Sequence, residues 1–84
     1  MSVDERLLDA GYEDVLVFRD FDYDTALIGV SEDNRAIYDF DLTVEYLCRE
    51  EGWSEEEAIE WIEYNTLRAL PYMEPGAPIV MYQL

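Results

Sequence analysis

Residues 53–70, WSEEEAIEWIEYNTLRAL, carry the strongest helical pattern in the sequence. Ser54 and Glu57 form an S-x-x-E capping box, the signature of a helix start. Three glutamates at 55–57 fill the first turn, where the helix dipole favours acids. Apolar or small side chains then recur at helical spacing, forming the stripe Ala58, Ile59, Ile62, Thr66 and Ala69. We therefore predict one amphipathic helix closed by Pro71.

The opposite side of this helix is acidic. Glu56, Glu60 and Glu63 follow spacings of four and three, which place them together on one face. Tyr64 and Leu67 lie among or beside these acids, and by this pattern no lysine or arginine on that side offsets them. Ordinary solvated helices mix charges of both signs. The row is therefore interpreted in two ways, as a solvated face or as a surface for a cationic partner.

Two further helices precede this one. Residues 42–51, LTVEYLCREE, place Val44, Leu47 and Cys48 on one stripe, and Gly52 ends the helix. A short helix over residues 3–10 begins at a second capping box. The residues of that box are Ser2 and Glu5.

Four segments have strand character. They are DVLVFRD (14–20), TALIGVS (25–31), RAIYDFD (35–41) and APIVMYQL (77–84). In the third, alternation predicts Ala36, Tyr38 and Phe40 on one face, and a turn through Asn34 precedes it. The predicted order is α-β-β-β-α-α-β. We expect a single α+β domain over residues 1–84, with a four-stranded, mostly antiparallel sheet and helices on one face.

The stretch FRDFDYDTA, residues 18–26, alternates acids with aromatic rings. In an extended segment, residues two apart lie on one face about 6.6–6.8 Å apart. Asp20, Asp22 and Asp24 would then form a second acidic row, at a spacing comparable to successive backbone phosphates. The alternative is a hairpin with the rings inside and the acids in water or capping the turn.

The same three aspartates match the first ligand positions of an EF-hand calcium loop. The match stops there, because the sixth position, which needs glycine, is Thr25 and the twelfth, which needs glutamate, is Ser31. We predict no metal site, and keep weak cation binding as a third interpretation.

Charge limits the classes of partner. Twenty-one acids face five arginines, with no lysine or histidine, for a net charge of −16. Such a surface repels nucleic acid and anionic membranes and attracts basic proteins. An acidic proteome, in which the charge serves only solubility of a structural or housekeeping protein, explains the same composition.

Catalytic chemistry is poorly represented. Without histidine or lysine the usual proton shuttle and Schiff-base amine are absent, and the single cysteine, Cys48, lies on an apolar stripe. We predict no catalytic residue and no cofactor. One cysteine and an N-terminus, MSVDERLL, without the bases of a signal peptide lead us to expect a soluble cytoplasmic protein.

The segment from FDYDTALIGV through GAPIVMY, residues 21–82, resembles small acidic proteins encoded by bacteria, their phages and mobile elements. The resemblance covers most of the chain, roughly residues 12–82, and implies no catalytic residue. In size and charge the chain also resembles anti-CRISPR proteins, several of which imitate DNA. That likeness implies a basic nucleic-acid-binding partner in a bacterial host cell, such as a CRISPR nuclease. The residues expected to contact such a partner are Asp20, Asp22, Asp24, Glu56, Glu60, Glu63, Tyr64 and Leu67.

Overall fold

The computed structural model describes residues 1–84 and has an α+β architecture of three α-helices and one three-stranded sheet. The helices are α1 (Val3–Asp9), α2 (Phe40–Glu51) and α3 (Glu55–Trp61), and the strands are β1 (Leu27–Val30), β2 (Ala36–Asp39) and β3 (Ile79–Met81). The predicted α+β class is therefore confirmed, and an α-helix is present in each of the three segments predicted to be helical. The predicted four-stranded, mostly antiparallel sheet is not confirmed.

The sheet is mixed, in the order β1-β2-β3. β1 and β2 form an antiparallel hairpin, with Leu27 opposite Tyr38 and Val30 opposite Ala36. Its turn contains Asn34 at φ 66°, the left-handed conformation expected there. β3 instead pairs with β2 in parallel, with Ile37 opposite Ile79. A parallel neighbour requires a long crossover, which α2 and α3 provide.

The predicted first strand, residues 14–20, does not form. Val15, Val17 and Phe18 are buried while Leu16 is 42% exposed, so the segment lies on the core but joins no strand ladder. β-branched and aromatic residues fit a half-buried surface whether or not the backbone pairs. The prediction of a strand is therefore wrong here, although three of the apolar side chains of the segment are buried.

The predicted third strand is shorter than expected because Asp39 starts a helix. The Asp39 carboxylate accepts the Leu42 N–H at 2.9 Å and the Gln83 side-chain N–H at 2.6 Å. Both hydrogen bonds lower the pKa of Asp39, and the bond from Gln83 has the larger effect. Phe40, predicted to share a strand face with Tyr38, is instead the first residue of α2.

The helix predicted over 53–70 is divided into three parts. Both capping-box bonds at Ser54 and Glu57 are present, and α3 follows them. A π-helical turn then spans Ile62–Thr66, where the Leu67 N–H reaches back five residues to the Ile62 carbonyl. A 3₁₀ segment, Leu67–Met73, continues through Pro71, which therefore does not close the helix.

The π turn changes which side chains face the core. The predicted stripe is correct at Ala58 in α3 and at Ile62 and Thr66, the two ends of the π turn, all at most 1% exposed. The inserted residue rotates the chain, so that Leu67 and Leu70 pack against the core beyond this point. The prediction of a continuous 3.6-residue period fails there, because a π turn closes hydrogen bonds over five residues.

The core is rich in aromatic rings. Tyr23, Tyr38, Leu47 and Ile62 are its largest fully buried side chains. The Phe18 ring lies 4.9 Å from the Tyr38 ring and 6.2 Å from the Tyr23 ring, measured between centroids. Such aromatic pairs add stabilisation beyond the apolar area they bury. This core holds α3 in place and leaves its acidic side outward.

Candidate functional site

The acidic side of α3 forms one continuous surface, here called the glutamate face. It consists of Glu55, Glu56, Glu60 and Glu63, with Ile59 and Tyr64 between them. All four glutamates are exposed. The capping box fixes where α3 begins, and the buried Ala58 and Ile62 fix its rotation. The predicted grouping of Glu56, Glu60 and Glu63 on one face is therefore the arrangement the structure has.

No glutamate of this face has an ion-pair partner. The three salt bridges of the protein join Arg19 to Asp4, Arg35 to Glu74 and Arg49 to Glu50, and none of them includes a glutamate of this face. Arg49 lines a neighbouring groove together with Glu55 and Ile59. Arg6 donates instead to the backbone carbonyls of Asp24 and Leu27. The four glutamates thus have no paired base, and they attract cations over distances up to about a Debye length.

The expectation that no basic side chain lies on this side needs a correction. The Arg68 guanidinium lies over the Tyr64 ring, 4.8 Å from its centroid, in a cation–π contact. Tyr64 is 59% exposed and borders the face as expected. Leu67 was also expected to contact a partner, but beyond the π turn it packs against the core. Its main role is therefore in core packing.

The aspartate row predicted in the loop does not exist as an extended segment. Tyr23 has φ 49° and ψ 35°, the left-handed conformation, and a 3₁₀ turn over Asp24–Ala26 follows it. An extended chain would be needed for carboxylates two residues apart to share one face. Asp20, Asp22 and Asp24 therefore do not form the second row expected from their spacing.

Each of these aspartates accepts a hydrogen bond from a part of the fold outside this loop. The Asp20 carboxylate accepts hydrogen bonds from the Thr66 hydroxyl at 2.5 Å and the Trp61 indole N–H at 3.3 Å. Asp22 accepts the Val3 N–H at 3.3 Å, at the first turn of α1. The Asp24 carbonyl accepts from Arg6. The loop thus connects α1 to α3 and its π turn.

The contact of Asp20 continues into the core. Thr66 is 1% exposed and its hydroxyl lies 2.8 Å from the hydroxyl of Tyr23, which is fully buried. Burial is the main cause that raises the pKa of Tyr23. The Tyr23 hydroxyl also donates to the Asp20 carboxylate at 3.3 Å. Sequence reasoning missed this network, because Thr66 is more than 40 residues from both of its partners and only the fold brings it to them.

Thr66→Val is expected to destabilise the protein by about 1–3 kcal/mol, because it removes the hydrogen bonds of Thr66 to Asp20 and Tyr23 and leaves the buried Tyr23 hydroxyl only the longer bond to Asp20. Urea unfolding monitored by circular dichroism measures this. Thr25→Val is the matched control: Thr25 is exposed, its hydroxyl meets only Arg49, and the change is expected to cost less than about 0.5 kcal/mol. Equal stability of the two variants would contradict the structural role given to Thr66.

A cavity adjoins the glutamate face, and the sequence analysis did not predict it. Its lining includes both tryptophans of the chain, Trp53 and Trp61, together with Glu57 and Glu60. The signal was present, since Trp53, Glu57, Glu60 and Tyr64 recur at spacings of four, three and four.

No group of three or more cysteine or acidic side chains is arranged to hold a metal ion. None of the helices combines the length and the apolar character that crossing a membrane requires. Comparisons with protein-family models, with curated proteins and with solved structures find no match. The function of this chain is therefore inferred from its surface.

Proposed function

We propose that this chain is a non-enzymatic acidic binding protein that occupies the basic surface of a nucleic-acid-binding protein. The observation that carries the proposal is the glutamate face, four exposed carboxylates on α3 and its π turn without a single ion pair. Lysine and arginine side chains that hold phosphates bind carboxylates by the same charge attraction. The face thereby competes with nucleic acid for them.

Geometry supports a rigid rather than a diffuse acidic surface. Residues three and four apart on a helix have Cβ atoms about 5–6 Å apart, so Glu56, Glu60 and Glu63 form a regular row. The row is anchored by Ile62, which is buried directly beneath it in the core. A pre-organised surface loses less side-chain and backbone freedom on binding than a disordered acidic tail.

The sharpest form of the proposal is an inhibitor encoded by a phage or mobile element and directed at a CRISPR nuclease. Its support is the resemblance in size and charge to anti-CRISPR proteins. The loop acids Asp20, Asp22 and Asp24 contribute to it through the net negative charge rather than as a phosphate-like row. Binding then takes place in the bacterial cytoplasm, where such nucleases act.

Solubility alone would explain the net charge of −16 without any role for one face. The two explanations differ in whether the place of an acidic residue in the structure affects binding. If charge serves only solubility, any three acids are equivalent. If α3 binds the partner, the glutamates of its face matter more than exposed acids elsewhere.

Affinity capture from a bacterial lysate at low salt, repeated at high salt, tests the proposal. We expect a nuclease or other basic nucleic-acid-binding protein that salt releases. Glu56, Glu60 and Glu63 are changed together to glutamine, which keeps size and helix propensity similar. We expect this variant to fold at least as well, because repulsion within the row is removed, and to capture less of that protein.

The matched control changes Asp9 to asparagine and Glu13 and Glu32 to glutamine. These acids are exposed, lie outside α3 and make no hydrogen bond or ion pair. Both triple variants carry a net charge of −13, three units less negative than −16. Equal capture by the two variants, or no basic protein captured at either salt, would overturn the proposal.

A further inference from the structure

The cavity beside the glutamate face has the shape and lining of a site for one side chain. Its volume is about 370 Å³, near the lower end of ligand sites, which run from roughly 300 to 1,000 Å³. The lining, called here the aromatic cavity, is Trp53, Glu57, Glu60, Trp61, Tyr64 and Asn65. Three aromatic side chains and two carboxylates therefore converge on one concave surface.

Contacts with Phe21 and Asp20 hold the two tryptophan side chains in place. Their ring centroids lie 5.5 Å apart with the planes at 49°. Phe21 meets both edge-on, at 5.9 Å from Trp53 and 5.6 Å from Trp61. The indole N–H of Trp61 is bonded to Asp20. This support fixes the cavity wall before any ligand arrives, which lowers the entropy cost of binding.

The chemistry of the lining selects a cation. The faces of aromatic rings, tryptophan most strongly, attract cations. Glu57 uses one carboxylate oxygen, Oε1, for the Ser54 N–H at 3.1 Å, and Glu60 makes no hydrogen bond or ion pair. Acceptor capacity therefore remains beside the rings. A neutral apolar ligand would offer these carboxylates neither a hydrogen-bond donor nor a positive charge.

Tyr64 already indicates which cation fits. The guanidinium of Arg68 lies over its ring without any carboxylate partner. The aromatic side chain at the rim of the cavity thus binds a guanidinium within the chain itself. A guanidinium is planar, stacks on aromatic rings and pairs with a carboxylate through two N–H groups, whereas an ammonium ion is a compact, strongly hydrated charge.

We propose that the aromatic cavity receives the guanidinium of one arginine side chain of the protein partner, stacked on the tryptophans and paired with Glu60. This inference rests on the proposed function and makes it specific: the glutamate face attracts the basic surface, and the cavity holds one arginine of it. Desolvated aromatic and arginine contacts of this kind are typical of the residues that dominate binding energy.

Intrinsic fluorescence tests the proposal directly, because both tryptophans of the chain line the cavity. The chain is titrated with arginine blocked at both ends as N-acetyl arginine methylamide. The same compounds of lysine and of citrulline, the neutral analogue of arginine, are the controls. We expect a saturable change with arginine, clearly weaker binding of lysine and none of citrulline. No saturable change with arginine, or an equal change with citrulline, would overturn the inference.

Variants locate the binding. Glu60→Gln and Tyr64→Leu change exposed residues and keep both tryptophans as reporters, and each is expected to weaken arginine binding about threefold. Glu13→Gln and Tyr82→Leu are the matched controls. Tyr82 is 60% exposed, against 59% for Tyr64, and lies outside the cavity lining, so neither control is expected to change arginine binding. Equal loss in controls and cavity variants would contradict the assignment.

The two proposals fail separately. If arginine does not bind but a basic protein is still captured in a salt-sensitive way through α3, the cavity inference is wrong and the proposed function stands. If arginine binds in the cavity but the chain captures no basic protein, the cavity is a guanidinium site and the proposed function is wrong.

Discussion

Raising the pH from 9 to 12 is expected to unfold this protein. Tyr38 is fully buried, and burial raises the pKa of its hydroxyl to about 12 from the ordinary value of 10.0. Burial is also the main cause that raises the pKa values of Tyr23 and Tyr46. In the unfolded chain these groups lose their protons near pH 10, while in the folded chain they keep them.

The sign follows from which state binds the protons. Because the folded pKa is the higher one, the stabilisation is fully present below pH 10 and is lost as pH rises from about 10 to 12. A difference of two pKa units at Tyr38 corresponds to about 2–3 kcal/mol, and Tyr23 adds to it. Each new phenolate also increases the self-repulsion of a chain already at −16.

Urea unfolding between pH 8 and pH 12, with tyrosine ionisation followed by ultraviolet absorbance, measures both effects. Tyr38→Phe is the matched variant. The Tyr38 hydroxyl makes no hydrogen bond of good geometry, although the nearby Phe18 backbone slightly opposes the rise of its pKa. Its removal is therefore expected to leave stability at pH 7 unchanged or higher, and to reduce the loss above pH 10. Constant stability up to pH 12 would contradict this account of the core.

Ile62→Ala is expected to cost about 2–5 kcal/mol in the free energy of unfolding, the usual range for a large-to-small change in a core. Ile62 is 1% exposed and stands where α3 passes into the π turn. A protein of this length has about 4–13 kcal/mol of stability in total. The variant is therefore expected to be at best marginally folded at 37 °C.

Ile28→Ala removes the same atoms from β1, where Ile28 is 47% exposed, and is the matched control. We expect it to cost less than about 1 kcal/mol, because less apolar area returns to water. Thermal melting followed by circular dichroism separates the two variants. If Ile62→Ala melts at the temperature of Ile28→Ala, the rotation of α3 is wrong, and with it the position of the glutamate face.

The starts of α1 and α3 were predictable from sequence because their signals are local, whereas the start of α2 at Asp39 was assigned to a strand. The capping boxes at Ser2 and Ser54 contain all the atoms that they need within four residues. The end of the α3 segment was not predictable in this way. A π turn at Ile62 and a 3₁₀ segment through Pro71 depend on packing against the core, which outweighs local propensity.

Strand pairing was the least predictable part of the fold. Alternation correctly placed Ala36 and Tyr38 together on one face, which is buried, but it says nothing about which backbone lies alongside. The parallel partner of β2 is 42 residues away, from Ile37 to Ile79, and no local pattern indicates it. Burial is a property of one segment, whereas pairing is a property of two.

The same distinction explains the candidate site. The glutamate face was found because helical spacing is local. Glu56 and Glu60 lie within α3, where that spacing holds, and Glu63 is the second residue of the π turn. The aspartate row was wrong because Tyr23 takes a left-handed conformation that tertiary contacts impose. Asp20 belongs to the network of Thr66 and Trp61, which joins elements more than 40 residues apart.

Displacement of nucleic acid from the captured protein tests the central claim most directly. The anisotropy of a labelled oligonucleotide bound to that protein is measured as the chain is added. We predict that the chain releases the oligonucleotide and that the variant with glutamine at 56, 60 and 63 requires roughly tenfold more. Three exposed charge pairs at about 0.5 kcal/mol each account for that factor. The matched variant at positions 9, 13 and 32 is predicted to behave like the unchanged chain. No release by the unchanged chain, or an equal loss in both triple variants, would contradict the claim that the glutamate face of α3 takes the place of nucleic acid.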